Sequence, residues 1–299
     1  MINLNKLRHK SASDLIFDLF IYVLLILVCA SVLYTLVFVL SASLSEPEAI
    51  YQGRVWLLPQ GFTLEGYQRV FKDAAVWRGY RNSLTYTAVG TLISVSLTLS
   101  SAYALSRRDL VGRGYITAVM VFTMFFSGGI IPTYLVVKNL QLLNKIWALV
   151  LPTAVSMTNI IIARTFFSTT IPNELLEAAE IDGCGNTRFF FRIVLPLSKA
   201  IVAVIALYYA VGIWNEYFQA LLYLDNRRMY PLQLILREIL IQSQMAEMVD
   251  DLIGAEAQQR VAEIIKFALI IVASLPMMIL YPFLQRYFIK GVMIGSVKG

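Results

Sequence analysis

Six long apolar runs divide the sequence, and they constrain the fold more than any other feature. They cover residues 19–45, 82–106, 114–137, 146–163, 200–224 and 267–285, and each is 18 to 27 residues long. Glu216 is the only charged residue within any of them. A transmembrane helix needs about 20 apolar residues, whereas the strands of a membrane barrel are about ten residues long. Because backbone polar groups in lipid must bond within their own segment, the runs predict an all-α, polytopic protein with six transmembrane helices.

The composition favours the same class. Of the 299 residues, 58% are hydrophobic and 15% are charged, which excludes an ordinary soluble enzyme, in which about a quarter of the residues are charged. The net charge of +6 would suggest nucleic acid as the partner of a soluble protein, but in a membrane protein it indicates basic flanks at the cytoplasmic ends of the spans. We therefore expect a lipid bilayer, and no nucleic acid, among the partners.

The distribution of basic residues predicts that both termini lie in the cytoplasm. Arg107, Arg108 and Arg113 stand close together between the second and third runs, and short loops with dense positive charge stay on the inner side and anchor the topology. The first run far exceeds the apolar core of a signal peptide, about 7–15 residues, so we expect it to be a retained span. The predicted parts are a cytoplasmic tail at 1–14, a membrane domain at 15–290 and a second cytoplasmic tail at 291–299.

The cysteines and the histidine do not indicate a catalytic or metal centre. Cys29 lies within the first run and Cys184 lies in an inner loop, so neither a disulfide framework nor a metal cluster is expected. His9 stands alone in the N-terminal tail. The sequence also lacks the G-x-x-x-x-G-K-[ST] phosphate loop of ATPases. We expect no catalytic residue, metal or cofactor in this chain.

Two long outer loops are predicted to be ordered. The segment 63–71 has the pattern of a short amphipathic helix capped by Thr63. The loop after the fifth run predicts a helix at 232–242 and a second one that runs from Gln258 into the last span. In the third run, Gly128-Gly129 followed by Pro132 predicts a broken or kinked helix.

The inner loop at 171–197, between the fourth and fifth runs, predicts a helix, a turn and a second helix. Pro172 fits the first turn of the first helix, Glu174 suits its positive end, and Gly183 is placed to form a left-handed C-terminal cap. Thr187 is predicted to cap the second helix. Spacing places four residues on one face of the first helix, smooth enough for the groove of another protein: Leu175, Ala178, Ala179 and Asp182.

This loop resembles the EAA signature of bacterial ABC-importer permeases. Glu177-Ala178-Ala179 is followed by Gly183 and, after nine residues, by Ile193-Val194-Leu195-Pro196. The sequence departs from the usual pattern at Cys184, where alanine is commoner, and at Ala200, where a proline often follows. Further segments resemble the carbohydrate, maltose-type branch of the family: Asn82-Ser83-Leu84, Trp214-Asn215-Glu216, and a tail with Lys290-Gly291, Gly295 and Lys298-Gly299.

The resemblance implies a type I ABC-importer permease in the bacterial cytoplasmic membrane, transporting a carbohydrate, and by preference an oligosaccharide. It implies four kinds of partner: a second homologous permease, two copies of an ATP-binding subunit that hold ATP and magnesium, an extracytoplasmic solute-binding protein and the sugar. In that family the EAA helix is the coupling helix, which lies in a cleft of the ATPase. The residues this assigns to coupling are Glu177, Ala178, Ala179, Asp182 and Gly183.

Glu216 marks a candidate wall of the transport pathway, because an ionisable group within a span is costly unless it has a function. Carboxylate and amide groups, as in Glu216 and Asn215, bond sugar hydroxyls, and an indole such as that of Trp214 stacks on a sugar face. The alternative is a structural role, since Glu216 lies about 12 Å from the outer end of the run by helical rise.

Three other functions remain open on the sequence alone. A permease for a non-sugar solute would share the EAA loop. An ion-coupled secondary transporter would need buried charges in the spans, and Glu216 is the only one. A membrane enzyme would need clustered acids or histidines at one membrane face, for which a single His9 is poor support.

Overall fold

The computed structural model describes residues 12–248 and 255–292, and in these ranges the regular structure is entirely helical. The predicted all-α class is therefore confirmed for the described part of the chain. The α-helices are α1 (Ala12–Ser43), α2 (Pro47–Tyr51), α3 (Glu65–Lys72), α4 (Ala74–Ser106), α5 (Arg113–Phe125), α6 (Ile130–Asn139), α7 (Ile146–Val150), α8 (Met157–Thr170), α9 (Asn173–Ile181), α10 (Asn186–Phe189), α11 (Leu195–Leu197), α12 (Lys199–Asn215), α13 (Phe218–Tyr223), α14 (Leu232–Met248) and α15 (Ala255–Val292).

Three described helices are each long and apolar enough to cross a membrane. They are the segment Ile16–Ser43 of α1, the whole of α4, and Ile264–Pro282 within α15. Two bent pairs also qualify when each pair is counted as one span: α5 with α6, bent by 113°, and Asn186–Leu197 with α12, bent by 85°. The described residues thus provide three to five spans, which overlap five of the six predicted runs; the pair that includes α12 ends at Asn215, before the end of the predicted run 200–224.

The fourth predicted span, 146–163, is not a continuous helix. α7 ends at Val150 and α8 begins at Met157, with Pro152 in the break. Proline lacks a backbone N–H and disfavours helical geometry in the residue before it, so it interrupts a run that hydropathy alone treats as uniform. α8 has 14 residues, fewer than the usual transmembrane length. The count of six spans accordingly stays a prediction.

The predicted break in the third run lies where the glycines stand. α5 ends at Phe125 and α6 begins at Ile130. Gly129 has φ 85° and ψ −177°, a conformation that a side chain would make costly. Pro132 follows in the first turn of α6, where its missing N–H leaves no intrahelical bond unmade. Glycine geometry therefore sets this bend.

The chain forms two compact units, and the first comprises residues 1–72 and 239–272. Within its described part, α3 begins at Glu65, whose backbone N–H donates to Thr63 Oγ1 at 3.2 Å, so the predicted capped helix is confirmed. The side chain of Ser45 joins the end of α1 to the following loop: it donates to Ser41 O at 2.6 Å and accepts from Gln60 N at 3.0 Å. The Ser45 hydroxyl thereby satisfies a backbone carbonyl at the end of α1 and a backbone N–H of the loop.

The second unit comprises residues 73–238 and 273–299, and α4, α8 and α12 form its centre. Thr98 of α4 and Tyr209 of α12 share a buried hydrogen bond of 2.7 Å. The same Tyr209 hydroxyl accepts from the backbone N–H of Ser156, just before α8, at 2.9 Å. One phenol therefore joins all three helices. Around it lies an apolar cluster that includes Leu99, Ile160, Phe189, Val194 and Ile205.

Candidate functional site

The helix that carries the EAA residues has the predicted end, but Pro172 is its N-cap and does not lie in its first turn as predicted. Asn173 is its first residue, preceded by Pro172, and an acidic residue lies in its first turn. At its end Gly183 adopts φ 71°, its N–H donates to Glu180 O at 3.0 Å, and Cys184 N–H donates to Ala179 O at 2.8 Å. These two bonds form a Schellman motif, which satisfies carbonyls that the helix end leaves free. Gly183 is needed here because its left-handed geometry is costly for residues with a Cβ.

The predicted smooth face of α9 divides between the interior and the surface. Ala179 is only 7% exposed and belongs to the apolar cluster of the second unit, together with Phe189. Ala178 is exposed, because successive residues of a helix point about 100° apart. The surface strip of α9, as we name it, consists of Leu175, Ala178, Ile181 and Asp182, with Glu177 also exposed.

The second helix of the loop starts differently from the prediction. α10 begins at Asn186 and its N-cap is Gly185, so Thr187 lies inside the helix and the predicted cap was wrong. Glycine is tolerated at an N-cap, and Gly185 has the extended backbone that this position requires (φ −68°, ψ 156°). A π-helical turn follows at Phe190–Val194, and Phe190 packs on Tyr103 of α4 with ring centroids 4.9 Å apart. This contact attaches the loop to the membrane helices.

A cleft of about 760 Å³ lies between α9, the end of α8 and the loop after α4. The Arg107 side chain, 11% exposed, faces both acidic neighbours there. Its Nε and Nη2 donate to the two carboxylate oxygens of Asp109 at 2.8 and 2.7 Å, and Nη2 also donates to Glu180 Oε1 of α9 at 3.3 Å. The Arg107 guanidinium lowers the pKa of the Asp109 carboxyl, and that carboxyl raises the pKa of Arg107. The pair is therefore ionised at neutral pH.

Trp214 does not face open space. The residue is 1% exposed, its Nε1 donates to Ala273 O of α15 at 3.0 Å, and its ring meets the edge of Tyr80 at 5.7 Å. The indole is thus buried between helices of the second unit, and stacking on a sugar, as the sequence suggested, does not fit this placement. Its contacts are those of a packing residue.

Asn215 and Glu216 mark a break in the fifth run. α12 ends at Asn215 and α13 begins at Phe218, so 200–224 is not one helix. Glu216 Oε1 accepts from Gln219 N at 3.0 Å in the first turn of α13, where a carboxylate is favoured by the free N–H groups. Asn215 is exposed and its Nδ2 donates to Val211 O at 2.9 Å. The only acid of the six predicted runs therefore has a local structural bond.

Glu216 also lines a cavity of about 170 Å³ inside the second unit. Tyr208 and Gly212 are four residues apart on one face of α12, and Glu216 follows at the end of this helix. The sequence analysis singled out Glu216 because it is a charge within an apolar run. The spacing of the other residues could also be read from the sequence, but no charge marks them. A Cβ on Gly212 would meet no atom within 4 Å, so this glycine leaves space open. The other lining residues are Ser83, Tyr86, Leu149, Thr153, Tyr209, Ile213 and Pro231.

The segment 225–232 is fastened beside this cavity by polar side chains of α4. Asn82 Nδ2 donates to Arg228 O at 2.9 Å and to Tyr230 O at 3.1 Å. Ser83 Oγ accepts from Leu232 N at 2.8 Å. The Asn82-Ser83 pair, which resembles a segment of sugar permeases, thus positions a stretch of chain whose Pro231 lines the cavity.

Several known proteins are similar to this chain. The Bacillus subtilis polygalacturonan/rhamnogalacturonan transport system permease protein YtcP is 42% identical over 289 residues, covering 95% of this chain and 99% of that protein. Protein LplC of the same organism is 40% identical over 291 residues, covering 97% of this chain and 98% of that protein. One chain in the crystal structure of a bacterial ABC transporter involved in the import of the acidic polysaccharide alginate matches with a TM-score of 0.82 and 32% identity, over 93% of this chain and 99% of that one.

The helical fold and the EAA loop together define a permease component of an ABC importer. Residues 74–294 match the family described as binding-protein-dependent transport system inner membrane component, and the chain belongs to that family.

Proposed function

We propose that this permease forms half of the pathway by which an ATP-driven importer moves an oligosaccharide across the bacterial cytoplasmic membrane. The names of relatives support the substrate class, since YtcP is named for polygalacturonan and rhamnogalacturonan, and MelC, 29% identical, for melibiose, raffinose and stachyose. The proposed complex has a second homologous permease, two ATP-binding subunits and an extracytoplasmic solute-binding protein. The chain would span the bilayer six times with both termini in the cytoplasm.

The observation that carries the proposal is the exposed surface strip of α9 next to a fixed helix end. Leu175, Ala178 and Ile181 form an exposed apolar surface. Glu177 and Asp182 add negative charge at its margins. Such a face suits a groove in another protein. We assign this strip to the ATPase, with Glu177 pairing with a basic residue there. Ala179 supports it from the interior, and Gly183 fixes the angle at which the chain leaves.

The catalytic chemistry in this proposal belongs to the partner. The sequence carries no phosphate loop, so ATP and magnesium would be held by the ATP-binding subunits, and this chain would be a non-catalytic subunit. Closure of the ATPases on ATP would favour an outward-open arrangement of the spans, and hydrolysis would release it. This chain's contribution is to bind the ATPase differently in the two arrangements.

For the pathway we assign Glu216, Asn215 and the adjoining cavity. Glu216 uses Oε1 to bond Gln219 N, and a carboxylate accepts further hydrogen bonds, so a sugar hydroxyl can donate to it as well. Asn215 is exposed beside it, and Gly212 keeps the cavity open. Trp214 lies behind these residues and positions the end of α12. An ion-coupled mechanism gains no support, since Glu216 Oε1 already accepts from Gln219 N.

A pull-down with uptake measurements tests the proposal. Tagged chain, purified in mild detergent from its own cells, should bring with it an ATP-binding subunit and a second permease, both identified by mass spectrometry. Deletion of the chain should abolish uptake of at least one labelled oligosaccharide from a panel of neutral and acidic sugars, and restoring the chain should return it. A chain that purifies without any ATP-binding subunit would contradict the proposal.

A further inference from the structure

Two arginine side chains from elsewhere in the sequence bond backbone carbonyls at the end of α4. Arg164 of α8 donates its Nε to Leu105 O at 3.1 Å, and Arg113 of α5 donates Nη1 to Arg107 O at 3.2 Å. Helix C-termini have free carbonyls and a partial negative charge, so cations stabilise them. We call Arg107, Arg113 and Arg164 the arginine junction. It ties together α4, α5 and α8.

α9 reaches this junction through a single polar contact. Glu180 Oε1 accepts from Arg107 Nη2 at 3.3 Å, while the helix is otherwise seated by buried Ala179 and half-buried Leu176. Apolar contacts let a helix slide, because they are not directional, whereas a hydrogen-bonded ion pair fixes a distance and an orientation. Glu180 is thus the residue of α9 that sets its position relative to the end of α4.

Arg107 is suited to this role because its geometry is fixed before Glu180 binds. Both Asp109 oxygens accept from one edge of the guanidinium, at 2.7 and 2.8 Å, which orients the plane. The Arg107 side chain is 11% exposed, whereas Asp109 and Glu180 are 63% and 55% exposed. Ion pairs with exposed partners contribute little to stability. The ion pairs of Arg107 therefore matter more for the position of α9 than for the stability of the fold.

We infer that Arg107 is a positioning residue that transmits displacement of α9 to the end of the second membrane helix, α4. This inference rests on the proposed function, in which α9 is moved by the ATPase. Arg108 is the matched control: it is adjacent, carries the same charge and flanks the same span, but its side chain is exposed and has no bond to α9. A topological anchor alone would make the two arginines equivalent.

The test uses the complete transporter reconstituted in lipid vesicles with its solute-binding protein, and measures basal and solute-stimulated ATP hydrolysis. R107Q should assemble and keep its basal rate, but its stimulation should fall by about tenfold, the size of an ordinary coupling between two sites. R108Q should remain close to wild type. E180Q should resemble R107Q, and the double variant should be no worse than the more impaired single variant, because both changes remove one contact.

Full stimulation in R107Q would overturn the inference, and so would equal losses in R107Q and R108Q. If R107Q fails to assemble, R107K takes its place, since lysine keeps the charge but cannot orient two carboxylates as a planar fork does. An assembled R107K with full stimulation, or a failure of both variants to assemble, would also overturn it. A wild-type complex without any ATPase would instead contradict the proposed function.

Discussion

Thr98 and Tyr209 share a 2.7 Å hydrogen bond in the interior of the second unit, and the same phenol accepts a backbone bond from Ser156 at 2.9 Å. Thr98 is fully buried and Tyr209 is 6% exposed. The bond to Thr98 is buried, and the bond to Ser156 is partly buried. One hydroxyl group therefore holds α4, α12 and the start of α8 in register.

Y209F should lower the free energy of unfolding by about 1–3 kcal/mol, because it leaves a buried hydroxyl and a partly buried backbone N–H without this partner. Thermal unfolding in detergent measures the effect. The control is Y115F, since Tyr115 is 78% exposed on α5. Adding T98V to Y209F should recover part of the loss. Equal stability of Y209F and Y115F would contradict the bond's importance.

Alanine at two glycines of the second unit should have effects of opposite sign. G212A should stabilise the protein by about 0.5–1 kcal/mol, because glycine is unfavourable in a helix and its new Cβ meets nothing within 4 Å. G79A should destabilise it, since a Cβ there would lie 3.2 Å from the backbone Cα of Leu232, which cannot turn aside as the end of a side chain can. Unfolding midpoints of the two variants, measured together, check both signs.

Larger side chains at position 212 should reduce transport without harming assembly. G212L would fill the cavity beside Glu216, so oligosaccharide uptake should fall well below that of G212A while the ATP-binding subunit still co-purifies. Uptake is measured with labelled sugar in cells that lack the native chain. Unchanged uptake in G212L would show that this cavity is not part of the transport pathway.

Replacement of Gly183 should uncouple transport from ATP hydrolysis. G183P removes the N–H that bonds Glu180 O and imposes a negative φ in place of 71°, so the exit from α9 must change. Insertion in the membrane should persist while sugar uptake and solute-stimulated ATPase activity are lost. G185A is the control, because Gly185 has φ −68° and open space around it. Normal uptake in G183P would contradict the role of this turn. E177Q should also lose coupling, with insertion intact.

Acidification should weaken the link between Arg107 and Asp109. The pKa of the Asp109 carboxyl is lowered in the folded protein, so its contribution to stability is complete above the unfolded value of about 4 and is lost as the pH falls through the lower folded value. D109N should remove this part of the pH dependence of stability. Unfolding midpoints from pH 6 downwards, compared between wild type and D109N, check the sign.

Features decided by neighbouring residues could be predicted from the sequence. Pro172 and Gly183 bound α9 because one lacks an N–H and the other tolerates a left-handed φ, and neither property depends on distant parts of the chain. Five of the predicted runs overlap spans or bent pairs, because the apolar character of a run is also a local property of the sequence. The break at Pro152 is also a local effect, but a prediction from uncharged runs takes no account of one proline within a run.

Features decided by tertiary packing could not be predicted. Spacing places Ala178 and Ala179 near one another on α9, yet only the fold determines that Ala179 is the buried one. The pairing of Arg107 with Glu180 joins residues 73 positions apart. Trp214 resembled a sugar-stacking residue by type, but its N–H donates to Ala273 O and its ring is enclosed.

The two interruptions that bound α12 determine how this helix can move. An 85° bend precedes it at Ser198, and the non-helical pair Glu216 and Tyr217 follows it. Between these joints its 17 residues form a rigid rod about 25 Å long. A rod with a joint at each end can tilt as one piece, so a tilt of about 5° would shift its far end by roughly 2 Å without breaking any bond inside it.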